Sequence, residues 1–261
     1  MQLLNLDGVG VCAVSMAETL DEIDGWIERD ERRYICTVNV HSLVEGWGRA
    51  DIRHALNGAD LSTADGMPIV WLMHRAGFPA AERIAGPDLM SAVVERGLAR
   101  GYGHFFYGST AETLLRLTNE LRERFPGIRI SGTLAPPFRR LDELQDGDDA
   151  AAIDEINGSG ADVLWVGLGA PKQELWMSRH RDEIATPTMI GVGAAFDMHA
   201  GLVRRASPML QNLGLEWAHR LALEPRRLWK RYLVSNTFFL AALAGEKVGL
   251  RRFEPVERLP H

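Results

Sequence analysis

Asp65 stands in the stretch Ser62-Thr-Ala-Asp-Gly-Met-Pro-Ile-Val70, after a short apolar run of strand character and before a helical one. A carboxylate at the C-terminal edge of a parallel sheet projects into the crevice where open α/β proteins bind ligands. There it can serve as a general base for an attacking hydroxyl, a role worth roughly 10² to 10⁴ in rate. The same residue can instead close an Asx-type turn or cap the helix that follows. Thr37 and Asn39 occupy alternate positions of an otherwise apolar run and are expected to share one face of a strand. On that face they can bind sugar hydroxyls or satisfy each other's surroundings in an internal network. Arg83, in Glu82-Arg-Ile-Ala-Gly-Pro-Asp88, offers the guanidinium fork that suits a diphosphate, or a surface ion pair with Glu82 or Asp88.

Three further segments have the strand, glycine, helix order of phosphate-binding turns. In the run from Asp162 to Glu174 an apolar strand ends at Gly167 and Gly169, and Pro171 suits the first turn of the next helix. The unpartnered N–H groups of such a first turn favour an anion, although ordinary strand-to-helix turns look alike. His104-Phe-Phe-Tyr-Gly-Ser-Thr110 repeats the pattern: Gly108 ends the run, and Ser109 or Thr110 can cap the following helix. In Gly191-Val-Gly-Ala-Ala-Phe-Asp197-Met-His199, Asp197 is better read as a hydrogen-bonding partner for a ligand than as half of a metal site, because no third ligand shows recognisable spacing.

Charge separates the end of the chain from the rest. Residues 203–261 carry eleven Lys/Arg against five Asp/Glu, whereas residues 1–202 carry eighteen against thirty. Arg220, Arg227 and Arg231 are spaced to share one helical face if the helix is continuous through Pro225, forming either a basic fork over phosphates or a solvated surface. Aromatic and aliphatic neighbours, among them Trp217, Leu228, Trp229, Tyr232, Phe238 and Phe239, give the tail the composition of an element that lies on an anionic bilayer. The apolar run from Tyr232 to Ala244 is interrupted by Ser235, Asn236 and Thr237 and is too short to span one. With two cysteines, Cys12 and Cys36, and no secretory signal, the expected compartment is the cytosol.

The elements that must position these residues alternate. Strands are expected at Tyr34–Val40, Ala59–Thr63, His104–Tyr107, Ile128–Ser131, Val163–Leu168 and Thr188–Val192, with helices between them such as Thr110–Phe125, whose Leu114, Leu117 and Leu121 form one stripe. Repeated β-then-α order implies an α/β fold with a mainly parallel sheet flanked by helices. At 261 residues and 46% hydrophobic, the chain fits an α/β core over residues 1–202 with a basic helical appendage over residues 203–261. Beyond Ala206 only helices are expected: one from Gly214 to Leu223 and a second from Pro225 to about Ala244. The stretch Ala135-Pro-Pro-Phe-Arg-Arg-Leu-Asp142, with the acidic Asp146–Asp149 after it, reads as a surface loop.

Taken together, the motifs resemble the WecG/TagA/CpsF glycosyltransferase family over nearly the whole chain. The resemblance rests on Thr37-Val-Asn39, Ala64-Asp-Gly-Met67, Arg83-Ile-Ala-Gly-Pro-Asp-Leu89, Val166-Gly-Leu-Gly-Ala-Pro-Lys-Gln-Glu174, Gly191-Val-Gly-Ala-Ala-Phe-Asp197, Gly214-Leu-Glu-Trp217 and Glu224-Pro-Arg-Arg227. Arg205-Ala-Ser-Pro208 departs from it, since the family more often has Arg-Ala-Pro there. The resemblance implies a Rossmann-like glycosyltransferase core and inverting, metal-independent transfer from a UDP-sugar to a polyprenyl-diphosphate-linked saccharide, with no cofactor beyond the donor. It makes Asp65 the candidate base and Thr37, Asn39, Arg83 and Gln173 pocket residues. N-acetylmannosamine, its uronic acid and glucose all remain open as the sugar, and Pro136-Pro-Phe-Arg139 inclines towards exopolysaccharide members. The appendage would meet the inner face of the cytoplasmic membrane. Self-association is left open, and nucleic acid is not an expected partner.

Two rival readings are weaker. A Rossmann dehydrogenase lacks the third glycine after Gly167 and Gly169 and the acidic residue expected downstream. A non-catalytic assembly protein of a polysaccharide complex would keep the fold without needing Asp65.

Overall fold

The computed structural model describes residues 2–138 and 149–256. Its larger sheet has six strands, all parallel, in the order β4-β3-β8-β7-β5-β6. These are β3 (Arg33–Val38), β4 (Leu61–Ala64), β5 (Gly103–Gly108), β6 (Arg129–Leu134), β7 (Val163–Gly167) and β8 (Thr188–Gly191). The parallel α/β expectation therefore holds. All six expected strands are present, with ends that differ by at most three residues. One of those differences matters: β3 stops at Val38, so Asn39 lies just outside the strand and Thr37 inside it.

Contacts divide the chain into two compact units, residues 1–16, 37–85 and 204–261 in one, and residues 17–36 and 86–203 in the other. The second unit is built around β5 and β7, whose residues from Phe105 to Tyr107 and Val163 to Val166 are all buried. Strands covered on both faces need continuous apolar runs, and these segments supply them. His104 is a buried polar side chain within β5. Trp165 Nε1 donates to its Nδ1 at 3.2 Å, and burial lowers the imidazole pKa to about 4, so the ring stays neutral. Helices α1 (Met16–Glu28), α5 (Gly86–Leu98), α6 (Ala111–Arg124), α7 (Ala150–Gly158), α8 (Lys172–Arg179) and the short α9 (Ala195–His199) belong to this unit, α1 from Ala17 onward. Helix α6 buries Leu114, Leu117 and Leu121, the stripe that the sequence pattern marks.

The first unit contains β4 and a separate antiparallel sheet in the order β2-β1-β9, formed by β1 (Leu3–Leu6), β2 (Val9–Cys12) and β9 (Phe253–Val256). The hairpin turns at Asp7 and Gly8, both at positive φ, as a two-residue turn of this type demands. Strand β9 corrects the expectation of helices alone beyond Ala206. It contains Pro255, which an edge strand tolerates because one side of it makes no ladder bonds. The remaining helices are α2 (Val40–Gly48), α3 (Ala50–Asn57), α4 (Met67–Arg75), α10 (Pro208–Asn212), α11 (Glu216–Leu223) and α12 (Pro225–Lys247). Helix α12 is held against α2 by Trp47, whose ring stacks on Phe239 and on Phe253, with centroids 6.4 and 6.5 Å away. The Trp47 indole N–H also donates to the Leu6 carbonyl at 2.8 Å. The surface loop expected at Ala135–Asp142 and the acidic run after it lie largely outside the described residues.

Candidate active site

In the first unit, β4 delivers Asp65 to a cluster of polar side chains drawn from distant parts of the sequence. The strand end is fixed on both sides: the Asp65 N–H donates to the Val38 carbonyl at 2.9 Å, and the Ile84 N–H donates to the Ala64 carbonyl at 2.8 Å. Asp65 is not the cap of α4, because Gly66 occupies that position. The Asx-turn alternative leaves no trace among the described hydrogen bonds.

Asn39 caps α2 instead. Its side-chain oxygen accepts from the backbone N–H groups of His41 and Ser42 at 3.0 and 3.1 Å, which commits that oxygen and fixes the amide plane. The amide then donates to the Asp65 carboxylate. Thr37 is buried one strand position before Val38 and is not exposed to solvent.

Arg83 reaches the same cluster. Its Nη1 donates to Glu216 at 3.0 Å and its Nη2 to Gln211 at 2.7 Å. Arg205 Nε lies 3.4 Å from the other oxygen of Glu216, so one carboxylate bridges two guanidinium groups. Gln211 is held in turn, donating to the Ala206 carbonyl at 2.7 Å. Glu82, one of the two ion-pair partners weighed for Arg83, accepts from the Met16 N–H at 2.7 Å.

This setting moves Asp65 far from an ordinary aspartate. Burial among protein atoms, followed by the negative charge of Glu216, raises its pKa from 3.8 to about 6, against the opposing effects of Arg83, the Asn39 hydrogen bond and Arg205. A carboxylate that ionises near 6 is a stronger base than a solvated one yet is still charged at neutral pH, which suits it to accept a proton from a hydroxyl.

The tail arginines divide. The helical path breaks at Glu224, so Arg220 on α11 and Arg227 and Arg231 on α12 do not form the continuous face that uninterrupted spacing would give. Glu224 pairs with two of them, Arg227 at 2.7 Å and Arg220 at 3.7 Å. Arg227 is mostly exposed. Arg220 and Arg231 instead flank Tyr232, whose pKa is raised by burial and by Asp65 and Glu216 and lowered by these two arginines. Tyr232, Glu216, Gln211 and Arg205 are the members of the cluster that the sequence reading did not place. Glu216 was in view within Gly214-Leu-Glu-Trp217, but nothing local reveals that it meets Arg83.

The second unit arranges its glycine turns by close packing. A Cβ on Gly108, which sits at φ +129, would lie 2.5 Å from the Gly167 carbonyl carbon, and one on Gly167 would lie 2.5 Å from the Phe196 ring. These two glycines are therefore required by the protein's own backbone and core. Gly169, at φ +80, faces open space. Thr110, not Ser109, caps α6, accepting from the Thr113 N–H at 3.2 Å, and Ser109 itself has φ +55. Pro171 precedes α8 at its cap position instead of its first turn. Gln173 is buried, donates to Glu174 at 3.1 Å and leaves its own side-chain oxygen without a protein partner. Asp197 lies on the five-residue α9, and its neighbour His199 contacts the Pro87 carbonyl at 3.0 Å.

A parallel α/β sheet whose strand end presents a half-buried carboxylate of raised pKa among arginines fits the class of enzymes that use a carboxylate as a base. Comparison with known proteins gives that class its family. The model of the WecG/TagA/CpsF glycosyl transferase family matches residues 4–253, and the chain belongs to this family. A curated relative from Bacillus spizizenii, N-acetylglucosaminyldiphosphoundecaprenol N-acetyl-beta-D-mannosaminyltransferase, is 28% identical over 229 residues, covering 87% of this chain and 84% of the relative.

Proposed function

We propose that this glycosyltransferase moves a sugar from a UDP-sugar to a membrane lipid-diphosphate-linked saccharide, with inversion at the anomeric carbon. The observation that carries the proposal is Asp65, with its pKa raised to about 6 and its carboxylate held by Asn39. Asp65 takes the proton of an acceptor hydroxyl as that oxygen attacks the anomeric carbon from the face opposite the UDP. The C–O bond to the diphosphate breaks, its electron pair leaves with UDP, and an α-linked donor gives a β product. Charge developing on the diphosphate is met by cationic groups, for which Arg83, Arg220 and Arg231 are the candidates and a metal is not required by the scheme. Gln173, with its unpartnered oxygen, is assigned to donor binding. The name of the Bacillus relative favours N-acetylmannosamine over its uronic acid or glucose, and an acceptor ending in N-acetylglucosamine.

Helix α12 supports a peripheral membrane role. Trp229, Leu233, Phe238 and Leu240 are all more than half exposed, and Arg226 and Lys230 are exposed beside them. Among the described residues no helix is long and apolar enough to cross a membrane. An exposed apolar surface edged with basic groups gains from both the acyl boundary and anionic headgroups. On this reading residues 203–261 act as the membrane-facing appendage.

The test is acceptor-dependent UDP release by the purified protein with a short-chain lipid-diphosphate saccharide, across a panel of UDP-sugars, with and without chelator. Release with UDP-N-acetylmannosamine, lost in Asp65→Asn while UDP still binds, is expected. Unchanged release by Asp65→Asn would overturn the assignment of the base. UDP binding without release from any donor would favour a non-catalytic assembly role.

A further inference from the structure

Glu216 has no assigned part in this scheme, yet it is the residue on which the cluster converges. It lies in the first turn of α11 and is only about one-fifth exposed. One of its oxygens accepts from Arg83 at 3.0 Å and the other faces Arg205 at 3.4 Å. Gln211, on α10, takes the second arm of Arg83 at 2.7 Å and is itself anchored to the Ala206 carbonyl. Two anchors on two different nitrogens define the plane of a guanidinium, which a single contact would leave free to rotate. A surface ion pair contributes little, but this one is partly buried on both sides and engages two arginines.

We propose that Glu216 is a positioning residue for the transfer: it fixes the Arg83 guanidinium in its working orientation and supplies the negative charge that keeps Asp65 a competent base. The inference rests on the reading of Asp65 as the base. The groups that act on the Asp65 carboxylate are Glu216 on α11, Arg83 from the loop after α4, Asn39 at the head of α2 and Arg205 before α10; Asp65 and Glu216 act in turn on Tyr232 of α12, as do Arg220 and Arg231. Among them Glu216 is the acidic side chain acting on Asp65, and it resists ionisation of Asp65 while the arginines favour it. Losing its charge leaves Asp65 under unopposed arginines, a weaker base that ionises at lower pH. Losing its hydrogen bond to Arg83 removes one of the contacts that orient that guanidinium.

The experiment compares Glu216→Gln, Glu216→Asp and Gln211→Leu with the wild type. It uses two readouts: the pH profile of kcat/KM from UDP release, and the titration of the Asp65 carboxyl carbon by NMR, assigned with Asp65→Asn. Glu216→Gln is expected to move both the acid limb and the Asp65 midpoint down by roughly one unit and to lower kcat about tenfold or more. Glu216→Asp, which keeps the charge, should leave the midpoint near its wild-type value. Gln211→Leu should lower kcat without moving the limb. An Asp65 midpoint that is the same in Glu216→Gln as in the wild type would overturn the proposal. Should Glu216→Gln fail to fold, a wild-type Asp65 midpoint at or below the ordinary 3.8 would overturn it instead, since the Glu216 charge would then not be holding Asp65 up. If the wild type transfers no sugar, the functional reading fails by itself, and the NMR titration still decides whether Glu216 governs Asp65.

Discussion

Asn39 donates a side-chain hydrogen bond to Asp65 with an amide whose orientation is set by a different task, capping α2 through the N–H groups of His41 and Ser42. Helix and base are thereby coupled through one residue. Asn39→Ala removes both contacts. The lost cap costs about 1 kcal/mol of stability. The lost hydrogen bond, which favours the charged form, lets the Asp65 pKa rise above 6, so the acid limb of kcat/KM should move to higher pH. A thermal melt and a pH–rate profile measured together check this, and a limb that stays put or moves down would show that the bond is not what holds Asp65 in its ionised state.

The raised pKa of Asp65 carries a stability cost whose sign can be tested. A carboxyl that binds its proton more tightly folded than unfolded stabilises the fold at low pH, and that contribution is lost as pH rises through the folded pKa of about 6. Asp65→Asn, which cannot ionise, should therefore be more stable than the wild type by roughly 1–3 kcal/mol at pH 8. Below the unfolded value of 3.8 the two should be nearly alike. Denaturant melts across pH 3.5 to 8 would show the gap opening between about pH 4 and 7; a gap independent of pH would mean that Asp65 is not desolvated as described. Activity lost and stability gained in one variant is the pattern of a functional site.

The glycines at the two strand ends should behave differently. Gly108→Ala places a methyl group 2.5 Å from the Gly167 backbone at φ +129, and the folded state should lose at least about 2 kcal/mol or fail to accumulate. Gly169→Ala meets open space at φ +80, so its stability cost should be about 1 kcal/mol. If Gly169 permits close approach of the donor, UDP affinity will fall in that variant by more than the stability change explains. Equal stability losses in the two variants would contradict the packing described for Gly108.

Reversing charge on the exposed side of α12 tests its membrane role. Each of Arg226→Glu and Lys230→Glu should weaken binding to anionic vesicles by roughly fivefold or more, since a basic residue near such a surface is worth about 1 kcal/mol. Binding should also fall with added salt and be poor on neutral vesicles. Vesicle sedimentation that does not respond to these variants would remove the electrostatic part of the proposal.

Local pattern went far with this chain. The alternation of apolar strand runs with helical stripes specified the parallel sheet, because parallel strands covered on both faces must be continuously apolar. The position of Asp65 at a strand end followed from the run before it and Gly66-Met-Pro after it. The break at Pro225 was legible for a similar reason, since proline can begin a helix but not continue one. The N-terminal hairpin is also legible, as Asp7-Gly8 between two apolar runs is a strong turn signal. Strand β9 was not, because Phe253-Glu-Pro-Val256 has little strand character of its own and exists through pairing with β1 at the far end of the chain.

The amino-acid sequence by itself determined the strands of the parallel sheet, the alternation of helices with them and the residue types presented at each strand end, all of which depend on neighbours a few positions apart. Only the tertiary structure decided what those residues are worth. Arg83 and Glu216 are 133 positions apart, and no spacing rule joins them. The pKa of Asp65 depends on burial and on charges brought from α11 and the segment before α10, and these act through space instead of along the chain. The same holds for Gly108, whose need to be glycine is set by the backbone of Gly167 on the neighbouring strand, a contact that exists only once the two strands pair.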